Sequence, residues 1–158
     1  MEHMPFWKLY YHIVWATAKR EPMIAPKIER QVYEAIQAKA LALGGQVFGV
    51  NGVDDHVHLV ASIPPSVSIA KFVGEVKGSS SFHVNHLPDN ELMIDWQRGY
   101  GVVSFRKDNL EQVLEYVRGQ KEHHAAGKTW SSLEDCGEED ASKPASVREE
   151  RAEYDPYT

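Results

Sequence analysis

The chain has 158 residues, 42% of them hydrophobic, enough for one domain with a real core. Its formal charge of −6 lies in one place: residues 1–130 hold 14 Lys+Arg and 14 Asp+Glu, residues 131–158 hold 3 and 9. The chain has no apolar run near the roughly 18–20 residues that span a bilayer, no secretory pattern, and one cysteine, Cys136. That excludes an internal disulfide and a cysteine-based zinc site, and it predicts a cytoplasmic protein with no membrane partner.

Phe6–Thr17 is aromatic and β-branched and reads as a first strand. Ile28, Val32, Ile36, Ala40 and Leu43 then recur at helical spacing from Pro26, with Gly44-Gly45 as a stop. Gln46–Val50 and His56–Ile63 read as two strands of a hairpin joined by a turn of Asn, Gly and Asp. Ser68 is the expected N-cap of a second helix carrying Ile69, Phe72, Val73 and Val76; Gly78 and three serines blur its far end, and Pro88 stops it. A loop through Trp96 and Tyr100 leads to a fourth strand near Gly101–Phe105. Asp108 and Glu111 form a capping pattern for a third helix with Leu110, Val113, Leu114 and Val117 as its apolar face.

The order βαββαβα predicts an α+β fold of the ferredoxin-like or RRM-like kind, an antiparallel sheet with helices on one face and the other face free. Residues 1–130 would form the domain, and residues 131–158 an acidic, partly disordered tail. In the second hairpin strand Val57, Leu59, Ala61 and Ile63 share one face, and His56, His58, Val60 and Ser62 share the other. The apolar set would meet the helices, leaving the histidines on the open side.

Two imidazoles on one face, directly after Asp54-Asp55, supply half the coordination sphere of a divalent metal. An isolated H-x-H is more often two ordinary strand histidines, so the partners decide. Tyr116 and Gln120 stack one turn apart beside the apolar face of the third helix, and His123 continues their stripe. A tyrosine so placed is, alone, usually amphipathic packing.

Taken in order, His56-Val57-His58, Lys77-Gly78-Ser79-Ser80, Trp96–Gly101 and Tyr116–His124 carry a specific resemblance. With Tyr11–Thr17 as first strand, residues 8–128 resemble the single-tyrosine HUH transposases of the smallest bacterial insertion sequences and their REP-associated tyrosine transposase relatives. The resemblance implies that His56 and His58 hold Mg²⁺ or Mn²⁺, that Tyr116 is the nucleophile, and that Gln120 is a further metal ligand. It implies a DNA transposase or transesterase that cleaves and rejoins single-stranded DNA through a 5′-phosphotyrosine. Hairpin recognition would follow, and a homodimer in which the tyrosine helix completes the partner's site. Lys77, Arg98 and Arg118 are candidates for phosphate contacts, and Trp96 and Tyr100 for base stacking. His123 and His124 belong to the resemblance without an assigned role.

Two rivals remain to be weighed. A histidine-triad nucleotide hydrolase needs a third histidine where this chain has Val60. A hairpin-binding protein of the same fold without cleavage would have no need of His56, His58, Tyr116 and Gln120 together.

Overall fold

The computed structural model describes residues 5–88 and 90–137. Strand β1 (Tyr10–Ala16) is followed by a 3₁₀ turn, helix α1 (Pro26–Ala42), the hairpin β2 (Gln46–Gly52) and β3 (His56–Ser62), and helix α2 (Ile69–Asn85). Strand β4 (Gly101–Phe105), helices α3 (Leu110–Arg118) and α4 (Gln120–Ala125), and a short α5 (Ser131–Glu134) complete it. The four strands form one antiparallel sheet in the order β2-β3-β1-β4. Among the described residues no helix is long and apolar enough to cross a membrane.

The local signals act as their chemistry requires. Pro26 opens α1, and Gly44, with φ of 84°, turns the chain out of it. Ser68 caps α2 by accepting the Lys71 amide at 3.1 Å. The serines that blur the end of α2 do not end it, because Ser80 and Ser81 turn their hydroxyls back onto the Lys77 carbonyl and leave the helix intact to Asn85. The Asp108 capping pattern is replaced by a 3₁₀ turn over Lys107–Asn109, so α3 starts at Leu110 with no side-chain cap. Its expected continuation breaks at Gly119 into α3 and α4.

Helices α1 and α2 cover one face of the sheet, where Ile13, Trp15, Val57, Leu59 and Ala61 meet Val32, Ile36, Phe72 and Val76. The opposite face was expected to be free, and it is not. Val60 and Phe105 pack there against Val113, Leu114 and Val117 of α3. Every residue of β3 is buried, as are Ile13–Ala16 of β1, so both faces of the central strands are covered. A nine-residue helix is too short to hold itself in water. Its three buried aliphatics, each contributing about 1.5–3 kcal/mol of burial, fix it to the sheet.

The acidic segment begins with a packed piece rather than a loose one. Leu133 and Cys136 are buried, Cys136 against Val14 and Ala16 on the same face as α3. Residues 138–158, where the rest of the expected tail falls, lie outside the described residues.

Candidate metal and nucleophile site

His56 and His58 stand on β3, on the face that α3 and α5 cover. Cross-strand register sets His56 opposite Ala16 and His58 opposite Val14, at the centre of the sheet. Each ring is tied by its Nδ1. Asp55 Oδ1 lies 2.6 Å from His56 Nδ1, and His12 Nε2 of β1 lies 2.8 Å from His58 Nδ1. Both Nε2 atoms therefore point at one place. A carboxylate beside Nδ1 keeps the proton there and leaves the Nε2 lone pair free, the usual support of a metal-binding histidine.

Two more side chains reach the same point. His124 of α4 brings its Nε2 to 3.1 Å from His56 Nε2. Glu134 of α5 places Oε2 at 3.1 Å from His56 Nε2 and 3.4 Å from His58 Nε2, and Oε1 at 3.2 Å from His124 Nε2. The donor atoms of His56, His58, His124 and Glu134 all lie within 4.8 Å of one another. His58 Nε2 is fully buried with the Glu134 carboxylate at 3.4 Å as its facing group, and Gln120 Oε1 is buried without a hydrogen-bond partner. Buried polar atoms are rarely left so; lone pairs converging on one point are what a divalent cation requires, and the residues fit one.

Tyr116 completes the group. Its hydroxyl donates to Glu134 Oε1 at 2.5 Å and accepts the Trp130 amide at 2.9 Å. Its ring lies between those of His123 and Trp130, stacked at 5.0 and 4.7 Å, with the edge of His58 at 6.1 Å. The side chain is 2% exposed. Gln120 is tethered one turn beyond it, its Nε2 donating to the Tyr116 carbonyl at 3.3 Å. The joint between α3 and α4 is pinned from the sheet, where Asn51 Nδ2 donates to the carbonyls of Val117 and Arg118 and its Oδ1 accepts from Lys121 Nζ.

The charges follow from this crowding. Burial raises the Tyr116 phenol to about 12, with the Glu134 hydrogen bond adding to it. Burial also works against the Glu134 carboxylate, but hydrogen bonds from His56 and His58 outweigh it and hold the group well below the usual carboxylate range. Burial lowers His12 and His58, helped by their neighbouring imidazoles. His56 is raised, because Glu134 and Asp55 overcome its burial.

A family model described as "Transposase IS200 like" matches residues 5–120. The chain belongs to the IS200-like, single-tyrosine HUH transposase family. This IS200-like chain is 27% identical over 130 residues to the transposase for insertion sequence element IS200 of Salmonella typhimurium, covering 79% of this chain and 85% of that protein. It is 24% identical over 119 residues to the ISDra2 transposase TnpA of Deinococcus radiodurans, covering 72% and 85%. In fold it is similar to a putative transposase of Deinococcus radiodurans, with TM-score 0.58, 23% identity, and coverage of 76% and 96%. It is also similar to a REP-associated tyrosine transposase bound to a REP hairpin, with TM-score 0.56, 13% identity, and coverage of 82% and 76%.

Within the IS200-like chain, Tyr116 lies beside His58 and shares Glu134 with His56 and His58, and Gln120 is tethered to the Tyr116 carbonyl. Of the five candidate DNA contacts, Lys77, Trp96, Arg98 and Tyr100 line one cavity between α2 and the loop before β4, while Arg118 stands on α3. Lys77 is expected at a phosphate, yet its ammonium donates to the carbonyls of Gln97, Arg98 and Gly99 and is committed to holding that loop. Trp96, expected to stack on bases, packs edge-on against Trp15 and donates to the Lys77 carbonyl; Tyr100 also packs against the main core. Arg98 and Arg118 are exposed, with Arg118 3.1 Å from Glu111. His12, His124, Trp130 and Glu134 are the site residues that the sequence did not assign. His12 sits at the period-two offset that faces His58 across β1, a signal present in the first strand. His124 lies eight residues after Tyr116 on the same helical stripe. Glu134 has no local pattern that marks it.

Proposed function

We propose that this chain cleaves and rejoins single-stranded DNA by metal-dependent transesterification, with Tyr116 as nucleophile and a DNA hairpin as its recognition element. The observation that carries the reading is that the Tyr116 hydroxyl and the Nε2 atoms of His56 and His58 converge on one carboxylate in a member of this family. The similar fold seen on a REP hairpin supports the choice of substrate.

A divalent cation, Mg²⁺ or Mn²⁺ by the family resemblance, would be held by His56 and His58 and would supply polarisation of the scissile phosphate and charge neutralisation. The residues do the rest. With a pKa of about 12, Tyr116 is neutral at pH 7 and must lose its proton as it attacks. Glu134 Oε1, which accepts its hydrogen bond, stands where that proton departs. A bond forms between Tyr116 Oη and phosphorus, and the bond from phosphorus to the 3′ oxygen breaks. The products are a 5′-phosphotyrosine and a free 3′-hydroxyl, and a DNA 3′-hydroxyl reverses the step. Tyr116 is enclosed by Trp130 and His123, so the segment carrying Trp130 and Glu134 must shift when DNA binds.

The test is incubation with Mn²⁺ or Mg²⁺ and single-stranded oligonucleotides drawn from the flanks of the coding region. A covalent protein–DNA adduct is expected, and it is expected to vanish in Tyr116→Phe while hairpin binding persists. An adduct unchanged in that variant overturns the nucleophile. Hairpin binding with no adduct from the unaltered chain favours a binding protein of the same fold.

A further inference from the structure

We infer that the cation site takes His124 and Glu134 as ligands beside His56 and His58, and that it selects a borderline transition cation of the Zn²⁺ and Co²⁺ class over Mg²⁺. The inference rests on the metal site of the proposed function and names the ion class that site prefers.

The first argument is donor chemistry. Three imidazole nitrogens and one carboxylate converge, and the imidazole nitrogens outnumber the oxygens. Mg²⁺ is bound by oxygen, holds an octahedral shell and keeps several waters. Imidazole nitrogen suits zinc, cobalt, nickel and copper, and binding to such sites strengthens from Mn²⁺ toward the later metals.

Spacing gives the second argument. Bonds of about 2.0–2.1 Å in a tetrahedral shell give donor–donor edges of about 3.3–3.4 Å. The contacts here are 3.1 Å for His56 Nε2–His124 Nε2, 3.1 and 3.4 Å from Glu134 Oε2 to His56 and His58 Nε2, and 3.2 Å from Glu134 Oε1 to His124 Nε2. With all four donors within 4.8 Å of one another, the side chains stand close enough for one ion to reach them all.

The third argument is support. His56 and His58 each have Nδ1 tied, by Asp55 and His12, so their Nε2 atoms are aimed before any ion arrives. Glu134 is also shared with the nucleophile: Oε2 faces the β3 imidazoles while Oε1 holds the Tyr116 hydroxyl. A ligand from the C-terminal segment thus joins the ion to the reacting oxygen.

The test is titration of the metal-free protein, without DNA, with Co²⁺ while recording its visible spectrum. An intense band of four- or five-coordinate cobalt is expected at one equivalent, displaced by one equivalent of Zn²⁺ and unaffected by millimolar Mg²⁺. Glu134→Gln, which keeps the shape of the side chain, and His124→Ala are each expected to weaken Co²⁺ binding about tenfold to a hundredfold and to dim the band. Far-ultraviolet circular dichroism confirms that both variants fold. The weak band of octahedral cobalt, displacement by Mg²⁺, or unchanged binding in both variants overturns the inference. None of these readouts involves DNA. An intense cobalt spectrum with no covalent adduct therefore leaves the site standing and rejects the transposase chemistry, and an adduct with an octahedral spectrum does the reverse.

Discussion

His12 acts on the site through another residue. It lies on β1, buried, and holds the Nδ1 of His58 so that Nε2 faces inward. His12→Gln keeps a polar partner of similar reach but not its geometry, and is expected to lower metal affinity about tenfold to a hundredfold. Calorimetric titration checks this, and affinity within twofold of the parent chain rules out a positioning role. Lys77 makes the opposite point. Lys77→Met removes the donor shared by three carbonyls and is expected to cost about 1–3 kcal/mol in denaturant unfolding. The salt dependence of hairpin binding should not change. Arg98→Ala and Arg118→Ala should reverse that pattern, leaving stability alone and each reducing the slope by about 1.

Among the elements, the packed segment at residues 131–137 has the largest effect on the site. It lies over the sheet at Gly101 of β4, where an added Cβ would overlap the Asp135 carbonyl oxygen. Gly101→Ala is therefore expected to displace α5, at a cost of about 1–3 kcal/mol, and to withdraw Glu134 from the histidines. Hydrogen exchange should quicken at amides 130–136 and stay slow across the β1–β3 pairs; unchanged protection of α5 would refute this account. The same elements show what the sequence can disclose. His56 and His58 are legible because strand alternation puts them on one face, and Tyr116 with Gln120 because helical spacing does the same. The covering of that face is harder to read, since α3 has an amphipathic pattern equally suited to either side of a sheet. Glu134 is illegible locally: it is one acidic residue in an acidic stretch, and only the packing of Leu133 and Cys136 turns it inward. Lys77 misleads because a lysine beside glycine and serines looks like a phosphate contact, whereas the loop carbonyls that take it lie some twenty positions on.

At the scale of the whole molecule, one chain brings Tyr116 to its own histidines. The expectation of a homodimer comes from the family resemblance, and the geometry here supports a site completed within each subunit. Mixing Tyr116→Phe with His56→Ala chains is expected to restore no adduct formation. Recovered activity would mean that the α3–α4 unit is exchanged between copies and that this arrangement is not the active one.

The cluster has one more consequence, seen along the chain and not in space. Its members at positions 56 and 134 are separated by half the sequence. An ion held by both would clasp the end of the domain to the middle of the sheet and close a long loop, much as a disulfide does in a chain that has only one cysteine. Unlike a disulfide, this clasp opens with a chelator. Trypsin digestion after EDTA treatment should cut first at Lys121 and Lys128, on the strap between the two ends, while the metal-loaded chain keeps that strap intact.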